Sequence, residues 1–280
     1  MADKPIDVWD AKTFDPALSA LLAENAALVR DYMERDRQIF LNHDLGRSRT
    51  ILRPENAHAG SYLRLAEALG REMESRAIRA WHYTRLTDHE VDLLRRDGIQ
   101  LSTLSRLRAR LDAQVETGAI TATTAAALFA ASPFHQQRES RENKFWMTSH
   151  PIAIDDGGVE PLMAHWGGEG ASMWMKDPAL LGQVSTLGAP RILEVLVPVV
   201  ATNHAYSAGE AVLATFGRGL GCIPEKRAFD LYAKRALPPD ALIAVHTEGE
   251  PTFAAMGQGH PPAFVDVSIG YWKALTGEDD

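Results

Sequence analysis

One cysteine, Cys222, occurs in 280 residues, which excludes a disulfide framework and any site built from several thiolates. Positive charge is in deficit. The 29 Lys and Arg against 37 Asp and Glu give a formal net charge of -8, which disfavours general binding to nucleic acid or anionic membranes while leaving room for a local basic patch. Long apolar runs are missing too: the longest, Ile192 to Ala201, is interrupted by Glu194 and Pro198, far short of a bilayer span. The start, MADKPIDVWDAK, carries acids where a secretory signal needs basic residues and an apolar core. These absences lead to the expectation of a cytoplasmic protein with no membrane partner. At 45% hydrophobic and 24% charged residues, the composition is that of a globular chain with one large domain or two small ones.

The common catalytic motifs are also absent. There is no Gly-x-Gly-x-x-Gly between a strand and a helix, no phosphate loop, no His-Glu-x-x-His and no Gly-x-Ser-x-Gly,. His82 and His89 flank a helix start without metal-ligand spacing, so no metal is expected,. Gly217-Arg218-Gly219-Leu220-Gly221 follows no clear strand and reads as a loop.

What is present divides into three textures. In residues 1–77, Asp15-Pro16 marks a helix start, and Leu18, Leu21, Leu22, Leu28, Val29 and Met33 recur at helical spacing,. Gly46 to Gly60 reads as a loop and a second helix follows from about Ser61. From Ile78 the pattern becomes mixed. A strand over Ile78–Leu86 is followed by a helix capped at Thr87-Asp88 that stops at Asp97-Gly98,. A helical hairpin turns at Thr117-Gly118, and a polar loop from Gln136 to Asn143 leads to a strand over Lys144–Thr148. Pro161 to Met175 reads as one helix. Arg191–Val200, Ala228–Ala233 and Ala241–His246 read as strands, and the tail from Gly249 is rich in Gly and Pro,.

Two aromatic strings stand out within this pattern. Ala80-Trp81-His82-Tyr83-Thr84-Arg85 sets His82 and Thr84 on one strand face, a donor–acceptor pair suited to a ribose diol; the alternative is a buried histidine with an ordinary hydrogen bond,. Lys144-Phe145-Trp146-Met147-Thr148-Ser149 and Ala164-His165-Trp166-Gly167-Gly168-Glu169 offer Trp146 and Trp166 either for stacking on a flat heterocycle or as core,. Arg106 and Arg110 share a helix face that suits a phosphorylated partner, RNA or DNA, or simply solvent,.

Taken in order, the first string, Asp97-Gly98-Ile99, the second string, Arg191-Ile192-Leu193-Glu194-Val195, and Phe229-Asp230-Leu231-Tyr232 before Leu237-Pro238 resemble the motifs of ADP-ribosyltransferases of the poly(ADP-ribose) polymerase type. The likeness spans roughly residues 78–247 and lies in order and spacing. It implies an α+β fold: an ADP-ribosyltransferase-like split β-sheet core over 78–248, with a helical N-terminal region (1–77), a helical insertion at about 102–143 and a tail (249–280) packed on the domain. It further implies NAD as substrate without a metal, and a protein or nucleic-acid acceptor. His82, Tyr83, Thr84 and Arg85 would hold the ribose, the nicotinamide amide and the diphosphate. Trp146 would stack on the nicotinamide ring, Trp166 would also contact the cofactor, and Asp230 or Glu225 would be the catalytic acid. Three departures accompany the likeness: Tyr83 stands where the family has glycine, Trp146 where it has tyrosine, and Asp230 where it has glutamate. Hydrolysis of NAD, or a catalytically inactive nucleotide-binding or interaction module on the same fold, therefore stay open as alternatives. A toxin or defence role follows by analogy alone.

Overall fold

The computed structural model describes residues 4–42, 54–224 and 227–259. Asp15 caps α1 (Pro16–Glu24) by accepting from the Leu18 amide, with Pro16 at the first turn, where its missing N–H costs nothing. The periodicity predicts one helix through Met33, but the chain breaks at Asn25, whose side-chain amide donates to the Leu21 carbonyl. It resumes as α2 (Ala26–Asn42). Most of the predicted loop between Gly46 and Gly60 lies outside the described residues, and α3 (Ala59–Glu74) begins at its end. β1 (Ala77–Leu86) and α4 (Asp88–Asp97) follow, with Thr87 and Glu90 in a reciprocal capping box,. The hairpin is α5 (Leu104–Glu116) and α6 (Ala122–Ala131). The expected polar loop contains one helical turn, α7 (Arg138–Arg141), before β2 (Phe145–Thr148).

The stretch read as one helix over Pro161–Met175 is two short ones, α8 (Glu160–Ala164) and α9 (Glu169–Ser172). Between them Gly167 and Gly168 adopt φ values of 77° and 53°, a left-handed backbone that ends a helix. α10 (Pro178–Ser185) starts on Asp177-Pro178, the same signal as Asp15-Pro16. After β3 (Ala189–Pro198), the glycine string is a loop only at its end: Gly217, Arg218 and Gly219 form the last turn of α11 (Ala205–Gly219), and Leu220 and Gly221 make the turn that follows. Gly209 and Gly217 serve close packing, which local sequence does not reveal. β4 (Asp230–Ala233), β5 (Leu242–Thr247) and α12 (Pro251–Met256) complete the order. Tail residues 260–280 lie outside the described set.

The five strands form one antiparallel sheet in the order β4-β2-β1-β3-β5, so the chain is α+β. β1 and β3 pair along their whole length, from Ala77 with Pro198 to Leu86 with Ala189. β1 and β2 pair only at Trp81 with Thr148. One sheet face buries Ile78, Ala80, Val195 and Leu231 against Leu22, Leu69, Met73 and Val212, so the N-terminal helices share a core with the sheet. The other face packs Trp81, Tyr83 and Ile192 against Met163 and Phe253. The hairpin has its own cluster around Leu111, Leu128, Trp166 and Val184. Among the described residues no helix is long and apolar enough to cross a membrane.

Two glycines of α11 make a testable contrast. A Cβ on Gly209 would meet the Gly70 nitrogen of α3 at 2.7 Å, whereas one on Gly217 would collide with the tip of Met33. Backbone cannot step aside as a methionine end can. Gly209→Ala is expected to lower stability by about 1–3 kcal/mol, the usual cost of overpacking. Gly217→Ala should change it by less than about 1 kcal/mol, because gained helix propensity offsets the shift of Met33. Urea denaturation of both variants checks this, and equal midpoints would contradict it.

Candidate functional site

A cavity of about 800 Å³ lies where β1 and β2 part, a volume in the upper range of small-molecule sites. Its wall carries His82, Tyr83 and Thr84 from β1, Phe145, Trp146 and Thr148 from β2, and Asp230 at the start of β4. Glu90 of α4 and Arg106 and Arg110 of α5 close another side.

Past the single Trp81–Thr148 pair, the His82 side chain spans the gap. Its Nδ1 lies 2.8 Å from the Trp146 carbonyl oxygen. A carbonyl only accepts, so Nδ1 carries the proton and Nε2 is an acceptor. The ring packs on Phe145 with centroids 4.4 Å apart. Burial holds its pKa down to about 4, opposed by the Trp146 hydrogen bond and aided by the Arg110 charge. His82 is therefore neutral at pH 7 and suited to accept from a hydroxyl. A base with a folded pKa below its unfolded value loses stability as pH falls between the two, here from 6.5 to about 4,. NMR of the His82 ring should show no titration between about pH 5 and 8. Over the acid window, wild type should lose more stability than His82→Gln; a ring titrating near its ordinary value would refute the desolvated, neutral state.

Asp230 opens β4 opposite Thr148. It follows Phe229, whose N–H donates to Ser149 Oγ at 3.0 Å and whose carbonyl accepts from the Ser149 N–H. At the cavity edge Asp230 is exposed to solvent, yet the surrounding protein raises its carboxyl above the ordinary range, with His204 opposing. His204 stands edge-on to Tyr232 at 5.2 Å, and its Nε2 is buried with no partner among the described residues. Nothing in the sequence singles out His204. Glu225, the other candidate acid, lies outside the described residues. Register and alternation put Trp146, Thr148 and Asp230 on the sheet face of Trp81 and Tyr83, with His82 and Thr84 on the opposite face,. The cavity lining therefore draws His82 and Thr84 from one face and Trp146, Thr148 and Asp230 from the other.

Trp146 is 40% exposed. Its Nε1 donates to the Ser140 carbonyl at 2.9 Å, and its ring leans on Tyr232 at 4.7 Å, which makes a fixed platform for a flat ring. Tyr83 is almost fully buried and its hydroxyl accepts from the Ile152 N–H at 2.6 Å, with burial raising its pKa. Thr84 is buried in the wall.

Two expected residues stand elsewhere. Arg85 is not on the cavity wall; its Nε donates to the Leu187 carbonyl at 2.8 Å and its Nη1 to that of Met163 at 3.5 Å. Alternation along β1 sends it to the Tyr83 side, where these carbonyls wait. Trp166 is fully buried in the hairpin cluster, with Nε1 donating to Glu90 Oε2 at 2.8 Å and Arg110 over its ring at 4.7 Å.

Glu90 is the wall residue that sequence reasoning misses, although its Thr-x-x-Glu capping box is a legible signal. Its Oε2 accepts from the Thr87 and Trp166 N–H groups and its Oε1 from Arg110 Nε at 2.7 Å. Burial raises this carboxyl, but the Arg110 charge and the hydrogen bonds outweigh it and hold the pKa below its ordinary value. Among the described residues no three His, Cys, Asp or Glu side chains gather as a metal cage would need. Comparison with protein families, curated proteins and solved structures finds no match to this chain.

Proposed function

We propose that this chain is an NAD-dependent ADP-ribosyltransferase of the poly(ADP-ribose) polymerase-like type, with the parting of β1 and β2 as the split-sheet cleft for NAD. The observation that carries the reading is one cavity lined by a neutral His82, a fixed Trp146 and the carboxylate of Asp230. In this reading His82 Nε2 accepts from a ribose hydroxyl with Thr84 assisting, Trp146 stacks on the nicotinamide, and the Tyr83 backbone holds the nicotinamide amide. Asp230 accepts from the ribose 2′-hydroxyl and stabilises the oxocarbenium-like centre as the bond between the anomeric carbon and nicotinamide breaks. Nicotinamide leaves with the electron pair. The acceptor nucleophile on a protein or nucleic acid attacks the anomeric carbon and passes its proton to the Asp230 carboxylate, which releases it to solvent. Aspartate is one methylene shorter than the family's glutamate, so the ribose must sit closer to β4.

Solvent access at Asp230 favours a second reading, in which water is the acceptor and NAD is hydrolysed. Incubating the purified protein with NAD, with and without cell extract, tests both by release of nicotinamide. Label on the adenylate half that moves to macromolecules supports transfer, and label that stays as free ADP-ribose supports hydrolysis. No release under either condition overturns both readings in favour of a catalytically inactive nucleotide-binding or interaction module.

A further inference from the structure

We infer that Arg106 and Arg110, both supplied by α5 of the helical insertion, form a diphosphate-binding subsite in the cavity wall. The inference rests on the dinucleotide reading of that cavity and fills the role that Arg85, bound elsewhere, does not. A diphosphate linkage brings two negative charges into a partly dehydrated space and needs fixed cationic donors there. Among the described wall residues the cations are Arg106, Arg110 and Arg141. Arg141 is engaged with Glu169 at 3.0 Å. Arg110 gives Nε to Glu90, while its Nη2 is buried and meets no acceptor among the described residues. Arg106 faces no carboxylate among the described residues: its Nη2 donates to the neutral Gln100 side chain at 3.0 Å. Asp97, the wall carboxylate nearest in sequence, is held by Arg96 through both oxygens.

Arg106 and Arg110 lie one helical turn apart on one face of α5, with Leu107 between them anchored in the hairpin core,. The position along the cleft also fits. The Arg110 charge is felt at the His82 ring, so the subsite adjoins the imidazole that would hold a ribose. A planar guanidinium matches two phosphate oxygens at once. The insertion thus sets the ligand class, selecting a nucleoside diphosphate ester over a nucleoside.

Calorimetry with inorganic pyrophosphate, ADP-ribose and adenosine tests this on wild type, Arg106→Gln and Arg110→Lys, with melting temperatures as a folding control. Arg106 is exposed, so its replacement should leave the fold intact. Arg106→Gln is expected to weaken pyrophosphate and ADP-ribose by about tenfold, the factor of one charge-assisted hydrogen bond, and to leave adenosine unchanged. Arg110→Lys should also weaken both, because one ammonium cannot serve Glu90 and a phosphate together. Unaltered ADP-ribose affinity in both variants overturns the subsite. So does a wild type that binds neither phosphate probe, or that prefers a single-stranded oligonucleotide to ADP-ribose. NAD turnover read in parallel separates the two proposals. Pyrophosphate binding that depends on Arg106, without nicotinamide release by wild type, upholds the subsite and overturns the transferase. Turnover with an unchanged KM in Arg106→Gln does the reverse.

Discussion

Asp230→Asn is expected to lower nicotinamide release by about 10²–10³-fold, the loss typical when one group aimed at developing charge is removed. The substitution keeps the shape of the side chain and removes the charge that an oxocarbenium-like centre would feel. It should not disturb the fold, because Asp230 sits exposed at the first residue of β4, and its backbone is fixed by the Thr148 pair and the Ser149–Phe229 hydrogen bonds. In the proposed transferase the loss should fall on kcat, since asparagine still accepts from the 2′-hydroxyl while the charge matters only as the glycosidic bond breaks. His82→Ala, by contrast, should raise KM as well, because it removes the acceptor that the imidazole would offer to a ribose hydroxyl in the ground state. The raised carboxyl of Asp230 adds a pH signature. In the proposed transferase the ionised form is the active one, so kcat/KM should fall on acidification at a pH above that of a free aspartate, and this limb should vanish in the residual activity of Asp230→Asn. If Asp230→Asn retains full activity while Glu225→Gln loses it, the acid is Glu225.

The local part of this architecture was legible in the residues. Asp15-Pro16 and Thr87-Asp88 start helices where their capping chemistry requires, and β1 and β3 run where β-branched and aromatic residues cluster. What was not legible depends on partners far away in sequence. The C-terminal turn of α11 contains two glycines that look like a loop until Met33 is packed beside Gly217. The parting of β1 from β2, which makes the cavity, reflects strand pairing that no local string encodes. At the site, His82 and Trp146 were readable as a strand histidine and a strand tryptophan, and both line the cavity. Arg85 and Trp166 show the limit. Period-two alternation already sends Arg85 away from His82 and Thr84. Whether a tryptophan stacks on a ligand or fills a core depends on neighbours such as Leu111 and Val184, which join it only in three dimensions.

Glu90→Ala is expected to destabilise the protein by about 2–4 kcal/mol, because two donors lose their acceptor while the guanidinium left behind is only partly buried,. Glu90 is 7% exposed, and three elements meet on its carboxylate. It closes the cap of α4 at Thr87, takes the indole N–H of Trp166, and anchors Arg110 of α5. Alanine would leave a buried indole N–H and a half-buried guanidinium without their acceptor, and each carries its own desolvation penalty. The pH dependence has a definite sign. Because the carboxyl is held below its ordinary 4.5, its contribution is present above that value and is lost as pH falls through the depressed one. Urea denaturation at neutral pH gives the size of the effect, and a loss under about 1 kcal/mol would mean that the network carries little. Combining Glu90→Ala with Arg110→Met should recover part of the stability, since removing both charges spares the uncompensated cation. That recovery should come without recovery of ADP-ribose affinity, because stability needs the charges matched, whereas the diphosphate needs the arginine itself.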